Sequence, residues 1–329
     1  MALPDFFIAG APKAGTTALH AALARHPDLY LSPVKEPKFF LTDGPPPAQG
    51  GPGDAKTYRE HVWRQRDYEA LFAPAPPGTL KGESTPFYLY DLAAQQRINK
   101  LIPQARMVIV LRDPIERAHS NWTHLWSAGL DPIDDFVRAC DAEDRRVAAG
   151  WADFWHYKRI GLYGGQLEHL YTVFPHDRVL LFRYRELVEN PGGTLDRICA
   201  FLGVRQGLIS EMPRENVTAH PDRTRRHQYL SRVLRTGSAI TTRLPGHAAK
   251  ALIDTLESSL QRGAAPRRPL TWQQRQALIP YFEADVRLLE SLTGQDYGTW
   301  LLPRDASGGL VGARPAGQRQ ARNGRPRAF

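Results

Sequence analysis

The chain is poor in cysteine and has no long apolar run, and each shortage removes a class of protein. Its two cysteines, Cys140 and Cys199, offer neither the spacing of a metal site nor the numbers for a disulfide framework. Cys199 falls in the helical pattern Leu195, Ile198, Cys199, Leu202 and reads as a core residue. No stretch approaches the ~18–20 apolar residues a membrane span needs. The first residues lack a basic segment followed by an apolar core, so no secretory signal is evident and a cytoplasmic location is expected. There is no internal repeat.

Acidic residues are also in deficit, giving a net charge of +9. More than half of that excess sits in residues 304–329, which hold six arginines against one aspartate in a Gly/Arg/Ala-rich setting without hydrophobic periodicity. This basic tail is expected to be disordered. The remaining excess is spread over the rest of the chain, which suits a site for polyanionic small molecules better than a nucleic-acid-binding face. A composition of 23% charged and 42% hydrophobic residues fits an ordinary globular protein long enough to bury a sizeable core.

Short apolar runs alternate with helical patterns, which predicts an α/β fold with a central, mostly parallel sheet flanked by crossover helices. Strands are expected at Phe6–Ala9, Leu29–Leu31, Met107–Leu111 and Val179–Phe182. Helices are expected from Thr16 to about Arg25, from Pro114 to about Trp126 and over Thr194–Leu202 before Gly203, and Asp285–Leu292 continues a C-terminal helix that ends near Gly294. Residues 1–303 read as one domain, in which the irregular segments 42–57, 131–160 and 236–270 are candidate walls of an acceptor site.

Two motifs carry the chemistry. In the first, the strand Phe6–Ala9 enters a tight turn with Gly10, Pro12 and Gly15 that opens a helix at Thr16 and Thr17. Free N–H groups and the positive end of the dipole make this an anion cradle. Gly10 and Gly15 have the spacing of a Walker A pair, yet Thr16 stands where its lysine belongs, and the cation, Lys13, lies inside the loop. In the second, Arg112 ends the strand Met107–Leu111, where ligands of open α/β sheets bind, and Ser120 follows two helical turns later. A guanidinium and a hydroxyl make a phosphate clamp. The plainer alternative pairs Arg112 with Asp113 or Glu116 and leaves Asp113-Pro114 to start the helix. A Walker-type site predicts a strand-end aspartate for magnesium. Here that position is arginine, and no metal site is expected.

Together, Pro12-Lys13-Ala14-Gly15-Thr16-Thr17 and Leu111-Arg112-Asp113-Pro114…Ser120 resemble the two phosphate motifs of the sulfotransferases that use 3′-phosphoadenosine 5′-phosphosulfate (PAPS). The resemblance runs from about residue 4 to about residue 302. It takes in Ser32–Phe40 with Lys35-Glu36-Pro37, Gly82-Glu83-Ser84-Thr85-Pro86, Tyr163-Gly164-Gly165-Gln166-Leu167, and a late Tyr281…Asp285…Leu289…Gly294…Trp300 pattern. It is closer to the bacterial and heparan-sulfate-type branch than to the cytosolic aryl branch.

The resemblance implies a P-loop-like three-layer α/β fold and an EC 2.8.2-type transferase that binds PAPS without metal, releases 3′,5′-ADP, and sulfates a hydroxyl, less readily an amine, of a small-molecule or glycan acceptor. Glu36, in an extended setting before Pro37, becomes the general base, with Glu83 its rival and His119 and His124 weaker candidates. Lys13 stabilises the leaving oxygen. The amides of Ala14, Gly15, Thr16 and Thr17, with both threonine hydroxyls, hold the 5′ end, and Arg112 with Ser120 holds the 3′-phosphate. The segment Asn216–Arg226 looks like a late loop over the nucleotide, with Arg223, Arg225 or Arg226 as its cation, or else a solvated basic helix start. Trp151, Phe154, Trp155 and Tyr163 either wall the acceptor or belong to the core. The competing functions are a P-loop kinase or NTPase and an inactive nucleotide-binding module.

Overall fold

The computed structural model describes residues 2–302 apart from 45–46, 48–49, 214–219, 222–263 and 266–268. Five strands form one parallel sheet: β1 (Phe6–Gly10), β2 (Leu29–Leu31), β3 (Leu80–Glu83), β4 (Arg106–Leu111) and β5 (Val179–Arg183), ordered β2-β3-β1-β4-β5. A parallel sheet covered on both faces demands continuous apolar strands. Every residue of β1 is buried, and so is β4 from Met107 onward. Four of these strands follow the apolar runs. β3, with the sequence Leu-Lys-Gly-Glu, has no such run and escapes sequence reading. It is held by its neighbours: Gly82 lies opposite Phe6 of β1, and any Cβ at Gly82 would stand 2.2 Å from the Phe6 ring.

Between and after the strands lie α1 (Thr16–Leu23), α2 (Asp54–Arg59), α3 (Gln65–Ala70), α4 (Leu92–Leu101), α5 (Pro114–Ser127), α6 (Phe136–Asp141), α7 (Glu143–Ala148), α8 (Tyr163–Val173), α9 (Tyr184–Glu189), α10 (Pro191–Leu202) and α11 (Trp272–Thr293). The last helix begins at Trp272, runs through the expected Asp285–Leu292 and ends at Thr293 before Gly294. Thr271 and Gln274 form a capping box at its start, and the helix continues through Pro280 because Leu278, Phe282, Val286 and Leu289 are buried in the core. Among the described residues no helix is long and apolar enough to cross a membrane.

Two of the segments read as irregular are more ordered than expected. Segment 42–57 runs into α2, where buried Asp54 accepts from Gly51 N–H (2.5 Å), Ala152 N–H (2.8 Å) and Trp155 Nε1–H (2.9 Å). Segment 131–160 contains α6 and α7. Asp131 is buried, with both oxygens 3.0 Å from Arg146 Nη2, and the Arg146 guanidinium lies over the rings of Trp151, Trp155 and Tyr157. Of segment 236–270, the described part includes Ala264–Ala265 (β7), paired antiparallel with His220–Pro221 (β6). The basic tail 304–329 lies outside the described residues.

The strand order sets the position of the site. The chain leaves β1 toward β2 on one side of the sheet and leaves β4 toward β5 on the other, while β1 and β4 are neighbours. Such a switch point opens a crevice at the carboxyl ends of the two strands. Both sequence motifs begin there.

Candidate active site

The loop after β1 is tied to β4 at once, since Ala11 N–H donates to Val110 O (2.7 Å). Ala14 N–H is taken up inside the loop by Ala11 O (3.2 Å), which removes it from the expected set of anion-binding amides. The backbone pattern resumes with Leu19 N–H to Gly15 O (3.1 Å), and no side chain caps α1. The amides of Gly15, Thr16 and Thr17, at an N-terminus that no side chain caps, remain as the candidates for a cradle. Gly15 has φ of +86°, and a Cβ there would lie 2.8 Å from the Tyr184 ring, so both conformation and space require glycine.

Arg112 carries more than the sequence reading assigned to it. Its Nη1 donates to Lys13 O (3.2 Å), so the arginine of one motif grips the backbone of the other. The pairing with Glu116 is present at 3.5 Å, the edge of hydrogen-bonding range. Nε is buried without a hydrogen-bond partner. The guanidinium lies 5.1 Å from the centroid of the Tyr184 ring, and the Tyr163 hydroxyl donates to Arg112 O (2.9 Å). A cavity of about 370 Å³ opens beside it, lined by Arg112, Glu116, Arg183, Tyr184 and Arg185 among others. Ser120 is half-buried on α5 one turn beyond Glu116, along the same helix face.

Asp113 serves the fold. One oxygen caps α5 by accepting from Ile115 N–H (3.0 Å) and Glu116 N–H (3.1 Å), and the other accepts from Arg275 Nη2 of α11 (2.6 Å).

Glu36 is not in the extended conformation expected before a proline. Its φ is +61°, and Lys13, Glu36 and Lys38 are the non-glycine residues with positive φ among the described residues. Residues held in this sparsely populated region cluster at functional sites. The end of β3 imposes the conformation: Glu36 N–H donates to Ser84 O (3.0 Å), and Lys38 N–H donates to Thr85 Oγ1 (3.3 Å). Glu36 Oε1 lies 2.5 Å from Lys35 Nζ. Glu83 is fully buried and ringed by the hydroxyls of Tyr68, Thr85 and Tyr88, a support for the turn with no surface to offer an acceptor. Burial pushes its carboxyl up to about 7.

The other candidates divide. His119 is buried against Trp122 and Phe136, a packing role, while half-buried His124 meets Phe154 edge-on. Trp155 and Tyr163 are core residues, whereas Trp151 and Phe154 are half-buried. Arg223, Arg225 and Arg226 lie outside the described residues. Sequence reasoning missed Tyr184 and Arg275, whose signals are contacts with residues far away in the chain.

A parallel sheet with a glycine-bearing loop after β1 that opens a helix, and an arginine after the neighbouring β4, defines a P-loop-like α/β protein. Residues 52–206 match the sulfotransferase family profile, an interval that includes Arg112 and Ser120 but begins after Lys13 and Glu36. Heparan sulfate glucosamine 3-O-sulfotransferase 3B1 of Mus musculus is 31% identical over 205 residues, covering 62% of this chain and 47% of that protein. Carbohydrate sulfotransferase 15 of Mus musculus is 24% identical over 277 residues, covering 68% of this chain and 48% of that protein. The chain thus spans about half the length of the curated relatives it matches. The crystal structure of a sulfotransferase from Alicyclobacillus acidocaldarius superposes with a TM-score of 0.70 at 26% identity, covering 91% of this chain and 99% of that one. In sequence and in fold this chain is therefore similar to sulfotransferases.

Proposed function

We propose that this protein transfers the sulfuryl group of PAPS to a hydroxyl of a glycan or small-molecule acceptor, with Glu36 as general base and Lys13 at the leaving oxygen. The observation that carries this reading is the bond from Arg112 to Lys13 O (3.2 Å), which joins two anion motifs in one crevice across β1 and β4. A nucleotide with phosphates at both ends needs such a double grip. The residues fit it: Arg112 Nε is buried and unpartnered, and the first turn of α1 has no side-chain cap. Arg112 and Ser120 would hold the 3′-phosphate, and the Gly15, Thr16 and Thr17 amides with both threonine hydroxyls the 5′ end. When bound, PAPS supplies a sulfuryl group activated by its anhydride link to phosphate.

Lys13, fixed in a left-handed conformation inside the loop, offers its ammonium where negative charge grows as that link breaks. Glu36 takes the proton of the acceptor hydroxyl, and its Oε1 contact with Lys35 leaves Oε2 as the oxygen presented for transfer. A hydroxyl acceptor is supported by the curated relatives, named for 3-O-sulfation of heparan sulfate glucosamine.

The test compares binding of 3′,5′-ADP, ADP and ATP with and without magnesium. Selective, magnesium-independent binding of the bisphosphate is expected, and preference for magnesium-ATP overturns the proposal. In turnover assays Glu36→Gln should retain 3′,5′-ADP binding and lose ~10²–10⁴-fold in kcat, the usual contribution of a general base.

A further inference from the structure

We propose that His20 is a positioning residue for the transfer step, registering the Glu36 turn against the helix that carries the anion loop. The inference rests on the reading of Glu36 as base given above. His20 sits on α1 one turn beyond Thr16, on the same helix face. Its Nδ1 lies 2.8 Å from Ser84 Oγ, a hydrogen bond that spans 64 residues of sequence. Ser84 is fully buried at the end of β3, and its carbonyl accepts from Glu36 N–H (3.0 Å). One residue therefore holds the cofactor helix by its side chain and the base-bearing turn by its backbone.

The neighbouring residue shows what Ser84 adds. Thr85 also pins the turn, accepting from Lys38 N–H at 3.3 Å, but its hydroxyl donates back into the Glu83 cluster at 2.5 Å. The Thr85 bonds thus fix the turn to the sheet, whereas the His20–Ser84 bond fixes it to α1. In-line transfer depends on the second relation, because the anion loop and the base must hold the reacting atoms ~3–3.5 Å apart. The ring is suited to this as a neutral hydrogen-bonding group. Burial pulls its pKa down to about 4, Lys35 adds to that, and Glu36 opposes it. It therefore presents no new charge beside the Lys35–Glu36 pair at neutral pH.

The test measures kcat, KM and 3′,5′-ADP affinity for the full chain with PAPS, using whichever acceptor supports wild-type turnover in a panel of hydroxylated glycans and phenols. His20→Ala should lower kcat roughly 10- to 100-fold, the scale of a misplacement of about 1 Å, while 3′,5′-ADP affinity stays within about two-fold. His20→Asn, which can place an amide near the Nδ1 position, should restore most of the rate. Ser84→Ala should match His20→Ala, and the double variant should be no slower than either single one. An unchanged kcat in His20→Ala overturns the inference and leaves the proposed function standing. So does a loss shared equally by kcat, cofactor affinity and thermal midpoint that Asn does not rescue. Wild-type protein that neither binds 3′,5′-ADP nor turns over PAPS overturns both.

Discussion

Glu83 has no exposed surface, and hydroxyls rather than a cation surround its carboxylate: Tyr68, Thr85 at 2.5 Å and Tyr88 at 3.3 Å. Desolvation outweighs those hydrogen bonds, and the nearby Glu36 charge adds to it, so the carboxyl titrates at about 7 instead of 4.5. A folded-state value above the unfolded one means that Glu83 costs nothing below about pH 4.5 and costs most above pH 7. Stability should therefore fall by up to ~3 kcal/mol as pH rises through that window. Glu83→Gln should abolish this component in denaturant unfolding followed from pH 4 to 8. A stability difference between the two proteins that does not change with pH rules the assignment out. The candidate Lys13, Glu36 and Arg112 were legible in the sequence because each sits in a local pattern. The support role of Glu83 was not, because it depends on Tyr68 and Tyr88, which its own motif does not specify.

Where α5 begins, the chain brings Arg112 and Asp113 together from one turn and assigns them opposite tasks. Arg112 turns to the Lys13 loop, and Asp113 caps the helix and pairs at 2.6 Å with Arg275, both partners almost fully buried. Arg275→Ala leaves a buried carboxylate without its cation and should cost ~3–5 kcal/mol in denaturant unfolding. The exposed pair Arg185–Glu189 on α9, 3.5 Å apart, gives the contrast: Arg185→Ala should cost less than ~1 kcal/mol. Because Asp113 follows Arg112 directly, the Arg275 variant should also weaken 3′,5′-ADP binding. Comparable stability losses in the two variants would show that the buried pair is not a keystone of the helix start. The start of α5 was readable from Asp113-Pro114, but its pairing with α11 was not, since 162 residues separate Asp113 from Arg275.

Across the whole molecule, buried histidines set the response to acid. Burial pulls both His61 and His156 down to about 4, with nearby Lys38 and Arg159 respectively acting in the same direction. A folded-state value below the unfolded 6.5 means that their contribution is present above pH 6.5 and lost as pH falls toward 4. In the Glu83→Gln background the thermal midpoint should therefore drop across that window, and adding His61→Gln and His156→Gln should reduce the drop, leaving the share of His20, which burial also pulls down to about 4. A midpoint that holds steady down to pH 4 in the histidine-containing protein would exclude this account.

The sequence alone determined the elements whose demands are local. β1 and β4 had to be continuous apolar runs because both faces of a central parallel strand are buried, and Gly15 had to be glycine at a φ of +86°. It also placed one cation in each of two turns. Tertiary structure decided what those turns do together. The β2-β3-β1-β4-β5 order made β1 and β4 neighbours and so brought Arg112 to the Lys13 carbonyl. The end of β3, a strand without an apolar pattern, set the left-handed Glu36 and linked it through Ser84 to His20. Periodicity encodes which face of an element is buried, whereas the partners of a side chain depend on which strands pair and in what register.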